Sequence, residues 1–589
     1  MTIRVGEVIA VNGIKVTLRI DDESSKETIF FEGEKYKGVS IREFLSIQRG
    51  FRNIVCVVEG EYLDESRVDT HDGKVAYIRK VDVRPIGYFE NEAFFEGIKF
   101  LPMIKDAAAL LSEVKIAAIY SRGKQSGFVI GNMLKEDIPI SLPWNKLFNS
   151  HIGIFGNTGS GKSNTLTKIF TVLFEQKAAF LANKSKFIVL DFNGEYTSDQ
   201  LIGAESKSVI KLVSGNDGGD RFPLLDDEFW DADTLSILFQ ATPNTQRPFL
   251  SKMIDGRKKF SSHRNSLENY VKNTFQRVFS TANPKPETLE LSRRIADLVG
   301  ARALLDLLSE VSYHKTMQSF YIEMPRTFFG ADGASYVNQL KSKVDAISLT
   351  NLDSFDELVI RANLQLCNNL IQNHVQFEHI QPLLKRIESS LNKLRRVLEI
   401  NESVLGEKLL TVISLRRCSS EVKKILPLLI AKHFYNAHKH DVATPPDRTI
   451  HLIIDEAHNI LSQQSAREHE SWRDYRLDLF EEIIKEGRKF GVFLTISSQR
   501  PADISPTIIS QLHNFFIHRL VNDRDLFLLD NTISTLDSLS RNLIPNLGRG
   551  CCVVTGTAFD LPMTLQVDQL EKAKQPDSED VDLIQLWAG

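Results

Sequence analysis

The spacing of apolar residues changes along this chain, and the changes divide the sequence into regions. Within residues 1–90, β-branched residues alternate or cluster in short runs, for example at 14–18 and 54–58, and glycines separate the runs. A period of two is typical of strands, and glycines between short strands are typical of turns. We therefore predict a small β-barrel over residues 1–90.

A connecting region, residues 91–145, follows the predicted barrel. Its apolar spacing predicts a helix over 104–115 and a return to extended structure at 128–131. The region leads into a short apolar run at 152–155 that is followed directly by a glycine-rich loop.

Beyond that loop, short apolar runs rich in β-branched residues alternate with helical stretches. Strands of a parallel sheet have this pattern because helices cover both faces of the sheet. We therefore predict a doubly wound α/β core, built from residues 146–221 and 406–570. Its predicted strands include 187–190, 411–415, 452–454 and 492–496.

The core is interrupted by a long segment with few strand-like runs. Residues 222–405 carry apolar positions at three- and four-residue spacing, as over 379–400, which predicts a helical insertion between core strands. Residues 571–589 form an acidic spacer with a short apolar end. This tail is expected either to pack on a neighbouring subunit or to fray.

Composition narrows the class of protein. No apolar run approaches the roughly 18 residues that span a bilayer, and the first residues contain an arginine and a glutamate but no cleavage site. The five cysteines are scattered without a C-x-x-C pair, so neither a disulfide framework nor a zinc site is indicated. We expect a cytoplasmic protein without a membrane partner. The net charge of −4 argues against binding nucleic acid through bulk charge, although a local basic channel stays possible.

The glycine-rich loop fits the P-loop pattern G-x-x-x-x-G-K-[ST] in full. Its glycines let backbone N–H groups surround a phosphate, and the following helix begins with its positive end towards that phosphate. Lys162 can reach the β- and γ-phosphates of ATP, and the Ser163 hydroxyl can bind Mg²⁺. The predicted nucleotide-binding residues are Gly156, Asn157, Thr158, Gly159, Ser160, Gly161, Lys162, Ser163 and Asn164.

Hydrolysis requires carboxylates as well as a P-loop. The apolar run at 452–454 ends in Asp455 and Glu456, which would leave the sheet at its carboxyl edge, where ligands of such sheets bind. Asp455 is predicted to hold Mg²⁺ through water, and Glu456 to polarise the attacking water. A kinase does not need a water-activating carboxylate, so the pair favours an ATP hydrolase.

Two further stretches have side chains of interest. Gln499 follows the run at 492–496 and is predicted to lie beside the γ-phosphate. Arg488 comes at the end of a predicted helix, where cations are favoured in any case, so it is either a helix-end cation or an arginine finger for a neighbouring subunit. Asp191 and Glu195 are predicted to lie one strand over from the loop, near the nucleotide or in a solvated turn.

Taken together, these stretches resemble the HerA family of the HerA–FtsK ATPases. The likeness is carried by HIGIFGNTGSGKSNT, DFNGEY, LIIDEAHN, EGRKFGVFLTISSQRP and ISQLHNFFIHRL. The resemblance implies a RecA-like P-loop core, an N-terminal HAS-type barrel and a helical insertion. It also implies a hexameric ring that passes double-stranded DNA through a central channel, with Arg488 as the finger.

The resemblance implies a partner protein, either a NurA-type nuclease or, in bacterial relatives that defend against phage, a sirtuin-like effector. One departure is that many relatives carry an arginine just ahead of the histidine that begins the P-loop strand, whereas this chain has Ser150. Two functions therefore stay open: a DNA-translocating ATPase that serves a separate nuclease or effector, and an ATP-dependent scaffold that regulates an effector with little translocation.

Overall fold

The computed structural model describes most of the chain. The described residues are 3–21, 28–67, 75–120, 127–216, 218–324, 326–349, 352–401, 408–463, 470–578 and 583–587. The predicted end of the insertion at 402–405 and parts of the predicted tail, 579–582 and 588–589, lie outside them. No helix among the described residues is both long and apolar enough to cross a bilayer.

An antiparallel β-barrel opens the chain. Its strands pair in the order β1-β9-β5-β6-β7-β2, and β2 pairs again with β1, which closes a ring of six strands. Val16, Leu18 and Val83 fill its interior. The strands of this region are β1 (Arg4–Asn12), β2 (Lys15–Ile20), β3 (Thr28–Phe31), β4 (Glu34–Lys37), β5 (Phe44–Arg49), β6 (Arg52–Arg67), β7 (Val75–Glu90), β8 (Ala93–Glu96) and β9 (Ala107–Leu110).

The helix predicted over 104–115 is wrong. Residues Ala107–Leu110 form β9, which lies between β1 and β5, and the helix α1 is Glu113–Tyr120. Three consecutive alanines favour a helix in isolation, but the barrel closes only if a strand of small buried residues fills this gap, so tertiary pairing overrides propensity. The barrel therefore continues to residue 110, beyond the predicted boundary at 90.

A large mixed sheet begins after the barrel. Its first elements are β10 (Val129–Met133), β11 (Pro139–Ser141), α2 (Trp144–Phe148), β12 (Ile152–Phe155), α3 (Lys162–Leu181), β13 (Ser185–Asp191) and β14 (Lys207–Val213).

The chain then leaves the sheet and returns to it at β20, beside β14. The intervening segment is mainly helical and includes one small three-stranded sheet. Its elements are β15 (Phe222–Leu224), α4 (Asp226–Phe229), α5 (Ala232–Phe239), α6 (Gln246–Lys259), α7 (Ser266–Phe279), α8 (Pro286–Leu298), α9 (Arg302–Glu310), β16 (Val311–His314), β17 (Ser319–Ile322), β18 (Thr327–Phe328), α10 (Ala334–Gln339), α11 (Lys341–Asp345), α12 (Ser354–Ile371), α13 (Phe377–Val397) and β19 (Leu398–Ile400).

The remaining elements complete the sheet. They are β20 (Leu410–Arg417), α14 (Ser420–Asp441), β21 (Thr449–Ile454), α15 (His458–Leu461), α16 (Glu470–Glu486), β22 (Val492–Ser498), α17 (Pro506–Ser510), β23 (Asn514–Ile517), α18 (Asp523–Thr532), α19 (Ser538–Leu543), β24 (Cys551–Gly556), β25 (Met563–Val567) and α20 (Leu583–Trp587).

The sheet has the strand order β11-β10-β25-β24-β23-β12-β22-β21-β13-β20-β14. The strands from β23 to β14 are parallel, and the others pair antiparallel. The four strands predicted at 187–190, 411–415, 452–454 and 492–496 all belong to the parallel part. The predicted fold, a P-loop α/β core with a helical insertion and an N-terminal β-barrel, is confirmed. Because parallel strands end at one edge, the loops after β12, β13, β21 and β22 meet there.

Candidate active site

The P-loop connects β12 to α3, and neighbouring backbone and side chains leave little room around two of its glycines, Gly156 and Gly161. A Cβ on Gly161, whose φ is 106°, would lie 2.8 Å from the Cα of Gly550. A Cβ on Gly156 would lie 2.5 Å from the Cβ of His518. His518 and Gly550 thus pack against one side of the loop. The other side of the loop and the amino end of α3 are available to a phosphate.

Lys162 joins the P-loop to the carboxylates at the end of β21. Its Nζ lies 3.3 Å from Asp455 Oδ1 and 3.1 Å from Glu456 Oε1, and it donates to Ser497 Oγ at 3.0 Å. Burial alone would lower the pKa of Lys162, but the two carboxylates outweigh burial and raise that pKa. The lysine is therefore held as a cation at the place where a phosphate is expected.

Asp455 is buried and fully engaged. Its Oδ2 accepts from the hydroxyl of Tyr196 at 2.9 Å, and its Oδ1 accepts from the backbone N–H of Glu456 at 2.9 Å. Both contacts fix the direction in which the carboxylate points, towards Lys162.

Glu456 adopts a backbone conformation with φ of 48°, which L-residues rarely occupy. Its Oε2 lies 3.2 Å from His458 Nδ1. Burial would raise the pKa of Glu456, but His458 and Lys162 outweigh burial and lower it, so the side chain stays ionised. A strained residue of this kind is typical of functional sites, where the surrounding contacts maintain it.

Gln499 and Ser163 lie at the same edge of the sheet. The Oε1 of Gln499 accepts from Thr158 Oγ1 at 2.6 Å, so the residue after β22 contacts the P-loop directly. Ser163 is the second residue of α3 and is partly buried. Asn164 points elsewhere: its amide contacts the backbone of Asp568 at 3.1 Å and of Leu570 at 3.4 Å.

The DFNGEY turn does not lie one strand from β12. The order β12-β22-β21-β13 places it three strands away, next to β21. It still reaches the site because Tyr196 binds Asp455. The prediction of neighbouring strands was wrong because chain order along the sequence does not give the order of strands in a doubly wound sheet.

Arg488 lies at the opposite edge of the sheet. It belongs to a short 3-10 helix, Gly487–Phe490, which precedes β22, and its Nη1 lies 2.8 Å from His513 Nε2. The P-loop follows the other end of β12. The four residues of β12 separate the two ends by about 13 Å along the strand direction. The side chain therefore does not reach the P-loop of its own chain.

Sequence reasoning missed several residues that shape the site. Tyr196 and His518 occur in the quoted stretches, but nothing in their spacing identified the partners they have. His518 is buried, and burial and the charge of Lys162 lower its pKa to about 4, so it packs under the loop as a neutral ring. Gly550 donates its N–H to Ser160 O at 2.8 Å and carried no sequence signal.

The residues present suit a hydrated Mg²⁺ ion. Hydroxyl and carboxylate oxygens are the ligands that Mg²⁺ prefers, and Ser163, Asp455 and Glu456 supply such groups. No group of three acidic, histidine or cysteine side chains in the described part of the chain is close enough to bind a metal directly. An ion here would therefore keep several of its waters.

Comparisons with known proteins agree with this geometry. The family model for the central domain of the helicase HerA matches residues 128–433, just over half of the chain. The DNA double-strand break repair helicase HerA of Pyrococcus furiosus is 25% identical over 478 residues, which cover 78% of this chain and 74% of the relative. A probable DNA double-strand break repair helicase HerA of Methanocaldococcus jannaschii is 24% identical over 562 residues, covering 92% of this chain and 96% of the relative.

Solved structures that align with this chain include a bacterial conjugative coupling protein, TrwB, at 11% identity and a TM-score of 0.44, covering 80% of this chain and 94% of that one. VirB4 of Thermoanaerobacter pseudethanolicus aligns at 14% identity and a TM-score of 0.42, covering 77% and 99%. The family model and the relatives of HerA extend over the P-loop and the core that carries it. The chain is therefore a P-loop ATPase of the HerA helicase family.

Proposed function

We propose that this protein is a ring-forming cytoplasmic ATPase that couples ATP hydrolysis to translocation on double-stranded DNA. The observation that carries the proposal is the convergence of Lys162, Asp455, Glu456 and Gln499 at one edge of the sheet. These are the groups that phosphate binding, water activation and γ-phosphate sensing require.

The proposed roles follow from the contacts. Lys162, now bound to two carboxylates, would turn to the β- and γ-phosphates of ATP, which frees Glu456 to orient a water. Mg²⁺, when bound, neutralises phosphate charge, and Ser163 and Asp455 would hold it. Gln499 would contact the γ-phosphate and, through Thr158, sense its departure.

A ring is proposed from the position of Arg488, the arginine finger that the family resemblance implies. Arg488 lies at the edge away from its own P-loop, so it can serve only the site of a neighbouring copy. Ser150 belongs to the same edge and is buried, with its Oγ accepting from Asn514 Nδ2 at 2.6 Å. We propose that Arg488 supplies the charge that an arginine near position 150 gives to relatives, and that the ring is a hexamer.

DNA is proposed as the substrate because the relatives are named as DNA double-strand break repair helicases. We further propose that the motor serves a separately encoded partner, a NurA-type nuclease or a sirtuin-like effector in defence against phage.

A second candidate is an ATP-dependent scaffold that organises an effector with little translocation. It is favoured by the overall net charge of −4, because duplex DNA attracts basic surfaces. The two candidates differ in whether DNA changes the rate of ATP hydrolysis.

The test is steady-state ATP hydrolysis by the full chain with and without duplex DNA. We expect DNA to raise the rate several-fold, and Lys162→Ala to abolish hydrolysis because the phosphates lose their cation. Lys168→Ala, on the same helix and paired with Asp568 at 3.5 Å, is the matched control and should retain activity. Turnover that ignores DNA would support the scaffold, and full activity in Lys162→Ala would refute the site.

A further inference from the structure

A third carboxylate, Glu195, faces the candidate active site, and the roles proposed above do not use it. We propose that Glu195 is a positioning residue that would bind a water of the Mg²⁺ hydration shell. This inference rests on the proposed function, because it requires Mg²⁺–ATP at the P-loop.

The DFNGEY turn fixes the backbone of Glu195. The carboxylate of Asp191 accepts from the backbone N–H groups of Gly194 at 2.7 Å, Glu195 at 3.0 Å and Tyr196 at 3.1 Å. The backbone oxygen of Glu195 accepts in turn from the N–H of Asp577 at 3.0 Å. The backbone of Glu195 is therefore fixed by hydrogen bonds at both its N–H and its carbonyl oxygen.

The side chain of Glu195 is buried but incompletely satisfied. The residue is only 7% exposed, and its Oε1 accepts from Asn193 Nδ2 at 3.1 Å. Its Oε2 is buried and has no hydrogen-bond partner among the described residues. An orphaned buried carboxylate oxygen is costly, so its persistence at a functional edge indicates a partner that binds there.

The surroundings of Glu195 identify that partner. Its charged and polar neighbours include Asp455, Lys162 and Ser163. Ser163 and Asp455 are the two residues that would hold Mg²⁺, so Glu195 shares its neighbourhood with both. No three acidic, histidine or cysteine side chains of the described residues form a group that could hold a metal ion, so we place Glu195 at a water of the ion and not at the ion itself.

A water-mediated contact satisfies all of these observations. Mg²⁺ keeps several waters when it binds to proteins, and each bound water is a hydrogen-bond donor. A buried carboxylate oxygen without a donor is the acceptor that such a water needs. Outer-sphere groups of this kind are usually worth 10- to 100-fold in metal affinity.

The test is a Mg²⁺ titration of the binding of a fluorescent, non-hydrolysed ATP analogue to the full chain. In Glu195→Gln we expect the Mg²⁺ concentration at half-saturation to rise roughly 10- to 100-fold, with binding in EDTA unchanged. Glu195→Asp keeps the charge and should recover part of the loss. Asp199→Asn removes an exposed acid from the same segment and should leave the midpoint at the wild-type value.

The outcomes separate this inference from the proposed function. If Lys162→Ala binds the analogue as the wild type does, the site itself is misassigned. If Lys162→Ala loses binding but Glu195→Gln keeps the wild-type Mg²⁺ midpoint, only the role of Glu195 is overturned. Glu195→Gln removes a buried charge beside Asp455, so its melting temperature should not fall, and a large fall would mark a structural role and overturn the inference as well.

Discussion

Glu456 has a strained backbone and an ionised side chain. Its φ of 48° and its contacts with Lys162 and His458 hold a carboxylate at the end of β21. We expect Glu456→Gln to bind ATP but to turn it over at least about 100-fold more slowly, because an amide cannot accept a proton from water. Nucleotide binding and hydrolysis measured on the same preparation provide the check.

The matched control for that substitution is Glu482→Gln. Glu482 lies on α16 and pairs with Lys439 at 3.0 Å on the surface. Its amide variant should hydrolyse ATP at the wild-type rate. Rapid turnover in Glu456→Gln would assign water activation to a different residue.

Three of the buried histidines, His151, His451 and His518, have strongly lowered pKa values and make stability depend on pH. Burial is the main cause that lowers the pKa of His151 and of His451 to about 3 and that of His518 to about 4. In the unfolded chain these histidines bind protons below about pH 6.5, whereas in the folded chain they stay neutral to a much lower pH. The neutral rings therefore cost the folded state no free energy above about pH 6.5. As the pH falls from about 6.5 towards 4, the free energy of unfolding decreases by about 1.4 kcal/mol per pH unit for each histidine.

The melting temperature should therefore fall steeply between pH 6.5 and pH 4.5. His451 stacks on Phe187 at 4.5 Å and on Phe493 at 5.1 Å, so His451→Phe keeps an aromatic ring in the stack and should reduce the slope by up to about 1.4 kcal/mol per pH unit. His440→Gln, at an exposed histidine, is the control. An unchanged slope in His451→Phe would show that other groups cause the acid sensitivity.

At the scale of elements, the parallel strands separate the P-loop from Arg488. The two lie at opposite ends of neighbouring strands. The P-loop follows the carboxyl end of β12, whereas Arg488 precedes the amino end of the neighbouring strand β22, and both strands are buried along their length. No side-chain rotation carries the guanidinium past the length of a strand.

This separation predicts activity from mixed variants. Arg488→Ala and Glu456→Gln should each be inactive alone. Loss of an arginine finger in Arg488→Ala should lower the rate of ATP hydrolysis by about 1,000-fold. Mixed in equal amounts and allowed to reassemble, they should regain about a quarter of wild-type hydrolysis, because one interface in four pairs an intact Glu456 with an intact Arg488. Absence of recovery would leave Arg488 as a helix-end cation.

Elements with a strong local pattern were predictable from the sequence. The buried strands β13, β20, β21 and β22 have consecutive apolar and β-branched residues that few other structures use. The strand β9 was not predictable, because its alanines favour a helix and only the gap between β1 and β5 makes it a strand.

At the scale of the whole molecule, the site is assembled from distant parts of the chain. Lys162 and Asp455 meet although they are 293 positions apart, and Tyr196 meets Asp455 across 259 positions. The P-loop and the acidic pair could be predicted because each has a local pattern with known chemistry. The hydroxyl of Tyr196, the ring of His518 and the close approach of Gly550 could not, because they depend on strand order and on packing.

The pairing of β10 with β25 has a consequence for synthesis of the protein on the ribosome. β10 is made early, and the strand that covers its open side is made about 430 residues later. At roughly 5–20 residues per second, the β10–β11 hairpin waits about 20–90 s with an unpaired edge. An open strand edge is a template for association with other chains, so the nascent protein passes through a long interval in which chaperones have their greatest effect on yield.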